Sequence, residues 1–444
     1  MAKPKAAPVM PGLGDLKAMW EASGLKQKLL YTLALIAVFR LGVQVPIFGV
    51  HPERLQGMLG NQMLGFLDMF SGGALTSVSV LALGIGPYIT SSIIMQLLTV
   101  VVPRLEEIQK EEGEAGRRKL AQYTRYLTVV LALFQSALIM RLISSAGAID
   151  PHVTPWVFYV QGMLSLTAGS VFALWISEMI TERGIGNGGS LLIFSGIMSR
   201  VPFYWGQTEQ LVSGDPQKSF ALVMLMLIYL ATIALIIILQ EATRKIFIVS
   251  AKRQVGNRIY GGQNTHIPFK INPAGVMPII FAFAVLAFPS TLFAMLQQQH
   301  PTGLLFDIVR FYERFLSPGK PAYICIEFLL IVFFTFFYSS IIPSMQPKEI
   351  ADNLKKYGSS IPGIKPGRPT AEKLEEVLSR TTLIGAVAIA IITLVASSAT
   401  SITGITTLNG LGATSLIIMV GVALDTVNQV RVHLLARQYE GFLK

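Results

Sequence analysis

The chain has 444 residues, of which 52% are apolar and only 14% charged, with a mean hydropathy of +0.57. Soluble domains carry about 25% charged residues, so an ordinary cytosolic protein, a disordered chain and a collagen-like fibre are excluded, and lipid is the main solvent expected. Lys and Arg number 36 against 25 Asp and Glu, a surplus of +11, which must sit in the few polar loops.

Residues 1–28 are polar and rich in Pro and Gly, with no short apolar core followed by a small-residue cleavage site, so no cleavable signal peptide is expected. A spanning helix needs about 20 apolar residues. Ten stretches meet that requirement: 29–45, 78–102, 123–143, 156–180, 185–205, 220–239, 273–296, 323–342, 383–402 and 412–430. The fifth is diluted by Gly184, Gly186, Gly188, Gly189 and Pro202. The single cysteine, Cys325, lies in the eighth, which leaves neither a disulfide framework nor a Cys-based metal site and predicts a buried, inert thiol.

Positive loops stay cytoplasmic. With the N-terminus inside, 28 of the 36 basic residues fall in inside segments and 7 outside, Arg40 remaining within the first span. Both termini are therefore expected in the cytoplasm. Five spans precede the polar stretch 215–218 and five follow it. Two related halves with an odd number of spans are inverted, and a pathway is expected at their interface. The fold expected is all-α: a polytopic membrane protein of ten transmembrane helices in two pseudo-symmetric inverted halves. The segments are 1–28, a half at 29–212, a half at 213–430, and a tail at 431–444.

Two inside loops are overlong, 240–272 and 343–379. Most connections run about 4–6 residues, and long ones usually carry function. The first loop holds Ala251-Lys252-Arg253-Gln254-Val255-Gly256-Asn257-Arg258, a basic hairpin tip by its Gly256-Asn257 turn. The second reads Pro347-Lys348-Glu349-Ile350-Ala351-Asp352-Asn353-Leu354-Lys355-Lys356, then Ile361-Pro362-Gly363-Ile364-Lys365-Pro366-Gly367-Arg368, prolines and glycines that hold a defined loop. Two readings stand: topology signalling with contact to anionic headgroups, or docking of a large acidic partner such as ribosomal RNA. Topology needs only a few basic residues near a span end, so length favours docking.

Residues 64–77 avoid water yet are too short to cross about 30 Å of hydrocarbon. They read as a short re-entrant helix joined through Gly72-Gly73, or as an interfacial helix on the outer leaflet. Within the spans the acidic candidates for a coupling-ion site are Glu178, Glu327 and Asp425, and no His lies well inside a span. Arg40 is expected to snorkel. No His-Glu-x-x-His, Gly-x-Ser-x-Gly or Walker-type lysine is present, which leaves a membrane enzyme unsupported and calls for no cofactor or metal. The run Gly184-Ile185-Gly186-Asn187-Gly188-Gly189 lacks a lysine and a preceding strand, so it reads as a helix start or close helix packing. A small-solute secondary transporter with a five-plus-five repeat is the rival class, and would depend on Glu327 and Asp425.

Over residues 13–440 the sequence resembles the SecY family, the channel subunits of the bacterial protein translocase. The motifs are Met69-Phe70-Ser71-Gly72-Gly73-Ala74-Leu75, Ala82-Leu83-Gly84-Ile85-Gly86-Pro87-Tyr88-Ile89, Gln122-Tyr123-Thr124-Arg125-Tyr126 and Ile180-Thr181-Glu182-Arg183-Gly184-Ile185-Gly186-Asn187-Gly188, with Ala251-Lys252-Arg253-Gln254 and the two motifs of the second loop. The resemblance implies two halves around an hourglass pore that is not an enzyme. A plug closes the outer funnel, here Phe66, Leu67, Met69, Phe70, Ser71, Gly72, Gly73, Ala74 and Leu75. The waist is an aliphatic ring, here Ile85, Ile89, Ile193, Ile280 and Ile418, with Leu292 a further position on the seventh span. A narrow apolar ring blocks hydrated ions by dewetting yet yields around a passing chain.

A lateral gate between the second and seventh spans is also implied, with the third and eighth beside it and Gln96 and Asn272 as candidate polar contacts. It would release apolar segments of a secretory or membrane polypeptide into the bilayer. The implied partners are the small membrane subunits SecE and SecG, and the SecA motor or the ribosome, received on Lys252, Arg253, Arg258, Lys348, Lys355, Lys356, Lys365 and Arg368. The implied place is a bacterial plasma membrane or an internal photosynthetic one. The family usually carries Arg where Lys365 stands, and Lys offers no planar bidentate fork. The tip near Asn257 is also less basic than the family's.

Overall fold

The computed structural model describes residues 24–50, 68, 71–111, 113–145, 147–149, 152–250, 253–255, 258–260, 264–298, 304–316, 320–341, 346–405, 407–408 and 412–442. Its helices are α1 (Leu25–Gly42), α2 (Gly86–Val101), α3 (Pro103–Glu111), α4 (Gly113–Ser145), α5 (Pro155–Arg183), α6 (Gly188–Val212), α7 (Pro216–Glu241), α8 (Met277–Gln298), α9 (Leu304–Phe311), α10 (Pro321–Ile341), α11 (Pro347–Lys356), α12 (Arg368–Thr403) and α13 (Ala413–Phe442). Short strands are β1 (Thr243–Ser250), β2 (Arg253–Val255), β3 (Arg258–Tyr260), β4 (Asn264–Lys270) and β5 (Ser359–Ser360).

Each of the ten apolar stretches falls on a helix, α1, α2, α4, α5, α6, α7, α8, α10, α12 or α13. Among the described residues six of them, α4, α5, α7, α10, α12 and α13, are long and apolar enough to cross a membrane alone, while α2 and α3 pass only as a pair bent by 103°, the geometry of a broken span or a re-entrant loop. The chain is a multi-pass membrane protein. Proline stands at the first or second position of α2, α5, α7, α11 and α12, where its missing N–H is no loss and its φ is already helical. Asp215 caps α7 by accepting from the Gln217 N–H at 3.0 Å.

Three expectations need correction. The second span starts later than expected: residues 78–85 are turns and a bridge, since Val78 (φ 46°) and Gly84 (φ 52°) lie in the left-handed region and no α-helix runs through them. The diluted fifth span is one continuous helix that carries Pro202 inside it; the glycines precede it or lie in its first turn. Cys325 is exposed rather than buried, because α10 covers only one of its faces with protein and the thiol lies on the other.

The two overlong loops fold together and add a β layer to an otherwise helical chain. In β1, Ile246 and Ile248 face inward while Phe247 and Val249 are exposed, the period-two alternation of a half-buried strand. β1 pairs antiparallel with β4 from Thr243↔Lys270 to Val249↔Asn264, and with β5 at Val249↔Ser360 and Ser250↔Ser359. β2 and β3 pair from Arg253↔Tyr260 to Val255↔Arg258, forming the expected hairpin arms; Lys252, Gly256 and Asn257 lie outside the described residues. Beneath the sheet, Phe269, Ala351, Ile361, Leu374 and Leu378 form one apolar core drawn from both loops and the start of α12.

Helix packing places the pathway. α2 packs on α4 and on α8, α8 on α10, α5 on α6, α7 on α12, and α13 against α6, α7 and α8. One apolar cluster draws buried residues from α1, α5, α6, α7, α8, α12 and α13, with Ile85 just before α2, so it lies between the early and late parts of the chain.

Candidate pore and plug

Four of the five proposed ring residues are buried members of that cluster: Ile85 at 5% exposure, Ile193 at 2%, Ile280 at 2% and Ile418 at 0%. Ile89 packs against it, half-buried. Ile193, Ile280 and Ile418 lie on α6, α8 and α13, Ile89 lies on α2, and Ile85 is the residue immediately before α2. Leu292, farther along α8, is half-buried and is not among the cluster residues.

Three of the proposed ring residues, Ile89, Ile193 and Ile280, line a cleft of about 290 Å³ together with Tyr88, Ser92, Arg125, Ser177, Glu178 and Asn187. Arg125 donates to Glu178 at 2.7 Å across the α4–α5 contact. Asn187 and Ser190 also line a neighbouring cavity of about 500 Å³ that reaches Lys270 at the end of β4, which puts the cleft on the side of the two long loops. The glycine run builds this wall. Asn187 caps α6 by accepting from the Ser190 N–H at 3.2 Å, and a Cβ on Gly188 would lie 1.9 Å from the Ser177 carbonyl oxygen. Helix start and close packing are both present there.

The segment expected to form the plug does not line this cleft among its described residues. Phe66, Leu67, Met69 and Phe70 lie outside the described residues. Residues 71–77 run as turns rather than the expected regular helix, because Gly72 (φ 67°) and Gly73 (φ 92°) reverse the chain. Ala74 belongs to the same cluster as the proposed ring isoleucines, and a Cβ on Gly72 would lie 2.7 Å from the Cα of Gly196, one turn beyond Ile193 on α6. The segment's exit is pinned: the Ile47 N–H donates to the Val78 carbonyl at 2.9 Å and the Val80 N–H to Val45 at 2.9 Å. Val78, buried and β-branched, holds φ 46°, a strained position of the kind that clusters at functional segments.

A polar knot that the sequence reading missed surrounds the two glycines. Arg40 does not snorkel; it donates to the Gly72 carbonyl at 2.9 Å. Asp68 is buried, accepts from the Thr76 N–H at 2.7 Å and pairs with Arg200 of α6. Arg200 also donates to the Thr76 hydroxyl and lies over the Phe203 ring at 5.2 Å. The legible signal was one carboxylate and two guanidinium groups in otherwise apolar segments.

Gln96 and Asn272 bond locally instead of to each other: Gln96 Nε2 donates to the Ser92 hydroxyl at 3.1 Å and Asn272 Nδ2 to the Gly275 carbonyl at 2.8 Å. The side-chain oxygens of both are buried with no hydrogen-bond partner. Lys348, Lys355, Lys356, Lys365 and Arg368 are all exposed on the loop face, and Arg253 and Arg258 sit on the paired strands β2 and β3. The acidic candidates are dispersed: Glu178 is paired with Arg125, Glu327 accepts from Thr414 at 3.4 Å, and Asp425 lines the neighbouring cavity on the long-loop side with Lys270.

Fold and site together define a multi-pass helical membrane protein with a buried aliphatic cluster between its helices and a folded turn segment packed into it. A family model described as SecY matches residues 79–427. The chain is 44% identical over 430 residues to protein translocase subunit SecY of Synechocystis sp., covering 96% of each, and 46% identical over 437 residues to that of Synechococcus elongatus, again covering 96% of each. The chain belongs to the SecY family. Its fold is also that of a solved protein-conducting channel, at 15% identity, TM-score 0.66 and coverage of 97% and 95%. A SecY structure in which the plug domain stabilises the closed channel matches at TM-score 0.65 and 15% identity with the same coverage. Sec61 in a canine ribosome–channel complex matches at TM-score 0.60 and 15% identity, covering 97% of this chain and 95% of that one.

Proposed function

We propose that this protein is the gated, passive channel through which unfolded secretory polypeptides cross the membrane. The observation that carries the reading is the meeting of Ile85, just before α2, with Ile193 of α6, Ile280 of α8 and Ile418 of α13 in one buried cluster, beside a polar cleft and together with Ala74 of the segment proposed as the plug. Such a constriction excludes hydrated ions by dewetting while flexible side chains part for a chain. Halves at 29–212 and 213–430 then open like a clam-shell, with ten spans in all. The contact of α2 with α8, flanked by α4 and α10, supports a lateral gate at that seam. Through it an apolar segment gains about 0.3–0.6 kcal/mol per Leu or Ile, while a central Lys or Asp costs about 2.5–3.5 kcal/mol.

The shared β layer, with its common core and its rim of exposed lysines, supports docking of a large acidic or motor partner on the cytoplasmic face. That partner is the translating ribosome or SecA, which supplies the driving force; SecE and SecG complete the membrane complex. That the relatives are named translocase subunits supports the same assignment. The membrane is the bacterial plasma membrane, or an internal photosynthetic one, with both termini in the cytoplasm.

The test is reconstitution of the complex in vesicles. A secretory polypeptide should become protected from added protease only when the motor and ATP are present. Flux of a small solute that needs Glu327 and Asp425, without polypeptide protection, would contradict the channel reading.

A further inference from the structure

The plug reading leaves one question open: what fixes the strength of the closed state. Asp68 lies at the start of the plug segment and Arg200 on α6, the helix that also carries Ile193. Seven residues separate Ile193 from Arg200, about 10 Å along the helix. The Arg200 side chain is 16% exposed and that of Asp68 7%, so the pair is mostly withdrawn from water. One carboxylate does two tasks: one oxygen accepts from Arg200 and the other from the Thr76 N–H, tying both ends of the turn run to α6. Arg200 is held ready by Phe203 on its own helix. A Cβ at Gly73 would lie 2.8 Å from the Arg200 guanidinium, so the glycine is what lets the plug approach that closely.

We propose that Arg200 is a positioning residue of the channel, the clasp whose ion pair with Asp68 sets the equilibrium between seated and displaced plug. The inference rests on residues 66–77 being the plug. Displacing the plug separates two largely desolvated charges, and breaking such a pair by removing one partner is strongly destabilising. It also leaves the Arg200 guanidinium without its carboxylate in a segment that holds a second guanidinium, Arg40 on the Gly72 carbonyl.

The experiment measures resting ion conductance of the reconstituted complex containing the full chain, after equal membrane insertion is confirmed. Variants are Asp68→Asn, Arg200→Gln, Arg200→Lys, the Asp68→Asn/Arg200→Gln double, and a deletion of residues 66–75. The expected result is a leak raised on the order of tenfold or more by each neutralising single. The double should leak no more than Asp68→Asn alone, and Arg200→Lys should stay near the parent. Unchanged leak in the singles, beside a raised leak in the deletion, overturns the clasp and spares the plug. Single effects that multiply in the double overturn the pairing. A deletion that leaves the leak unchanged overturns the plug reading itself.

Discussion

Replacing Gly188 by Ala tests how tightly the ring is held in place. The added Cβ would stand 1.9 Å from the Ser177 carbonyl oxygen and 2.8 Å from the Ser177 Cα, both backbone atoms, whereas ordinary contact begins at 3.4 Å. No side-chain rotation relieves this, so α5 and α6 must part by about 1.5 Å at that point. Overpacking of this kind costs about 1–3 kcal/mol. The displacement acts five residues before Ile193, so the ring loses its fit as well as its stability. A matched control lies on the same helix. Gly206 has nothing within 4 Å of its would-be Cβ, and there the same substitution should stabilise by about 0.5–1 kcal/mol, since Ala gives up less backbone entropy. Thermal unfolding in detergent and resting conductance in bilayers read the two effects. Gly188→Ala should lower the midpoint and raise the leak, and Gly206→Ala should raise the midpoint and leave the leak alone. Equal behaviour of the two variants would refute the close-packing argument.

Truncating Ile85 or Ile193 to Gly should raise resting conductance, and the pair together more than either; a sealed double variant would remove both from the constriction. Phe269→Ala should cost about 3–5 kcal/mol within the core shared by the two long loops, and limited proteolysis should then cut both loops while the spans stay protected; cleavage of one loop alone would argue against a common platform. Charge reversal at Arg253 or Lys365 should impair translocation, most strongly at low salt because exposed charges are screened as ionic strength rises, with membrane insertion of the chain unaffected. Unaltered transport at low salt would sink the docking assignment.

The spans were readable because a run of about 20 apolar residues has almost no other use, and each of the ten fell on a helix. The β layer was not, because β1 is a short alternating stretch beside a span and β5 is only two residues that pair with it at long range. The glycine run was readable as helix start and close packing, since Asn187 and Gly188 act through local geometry. Arg40 was misread: hydropathy cannot tell a snorkelling arginine from one turned inward onto the Gly72 carbonyl. Asp68 and Arg200 lie 132 residues apart, and nothing local in either segment announces their partner. The proposed ring rests on the family motif, because an isoleucine in a span looks the same whether it faces lipid, protein or a pathway.

The central claim is that a polypeptide passes through the isoleucine ring. Photo-crosslinking probes at Ile85 and Ile193, with one at the outward-facing Leu230 of α7 as control, should be challenged with a stalled secretory chain engaged in the membrane. The account predicts crosslinks from both ring positions and none from Leu230. Crosslinks from Leu230 alone, with the ring positions silent, would contradict it.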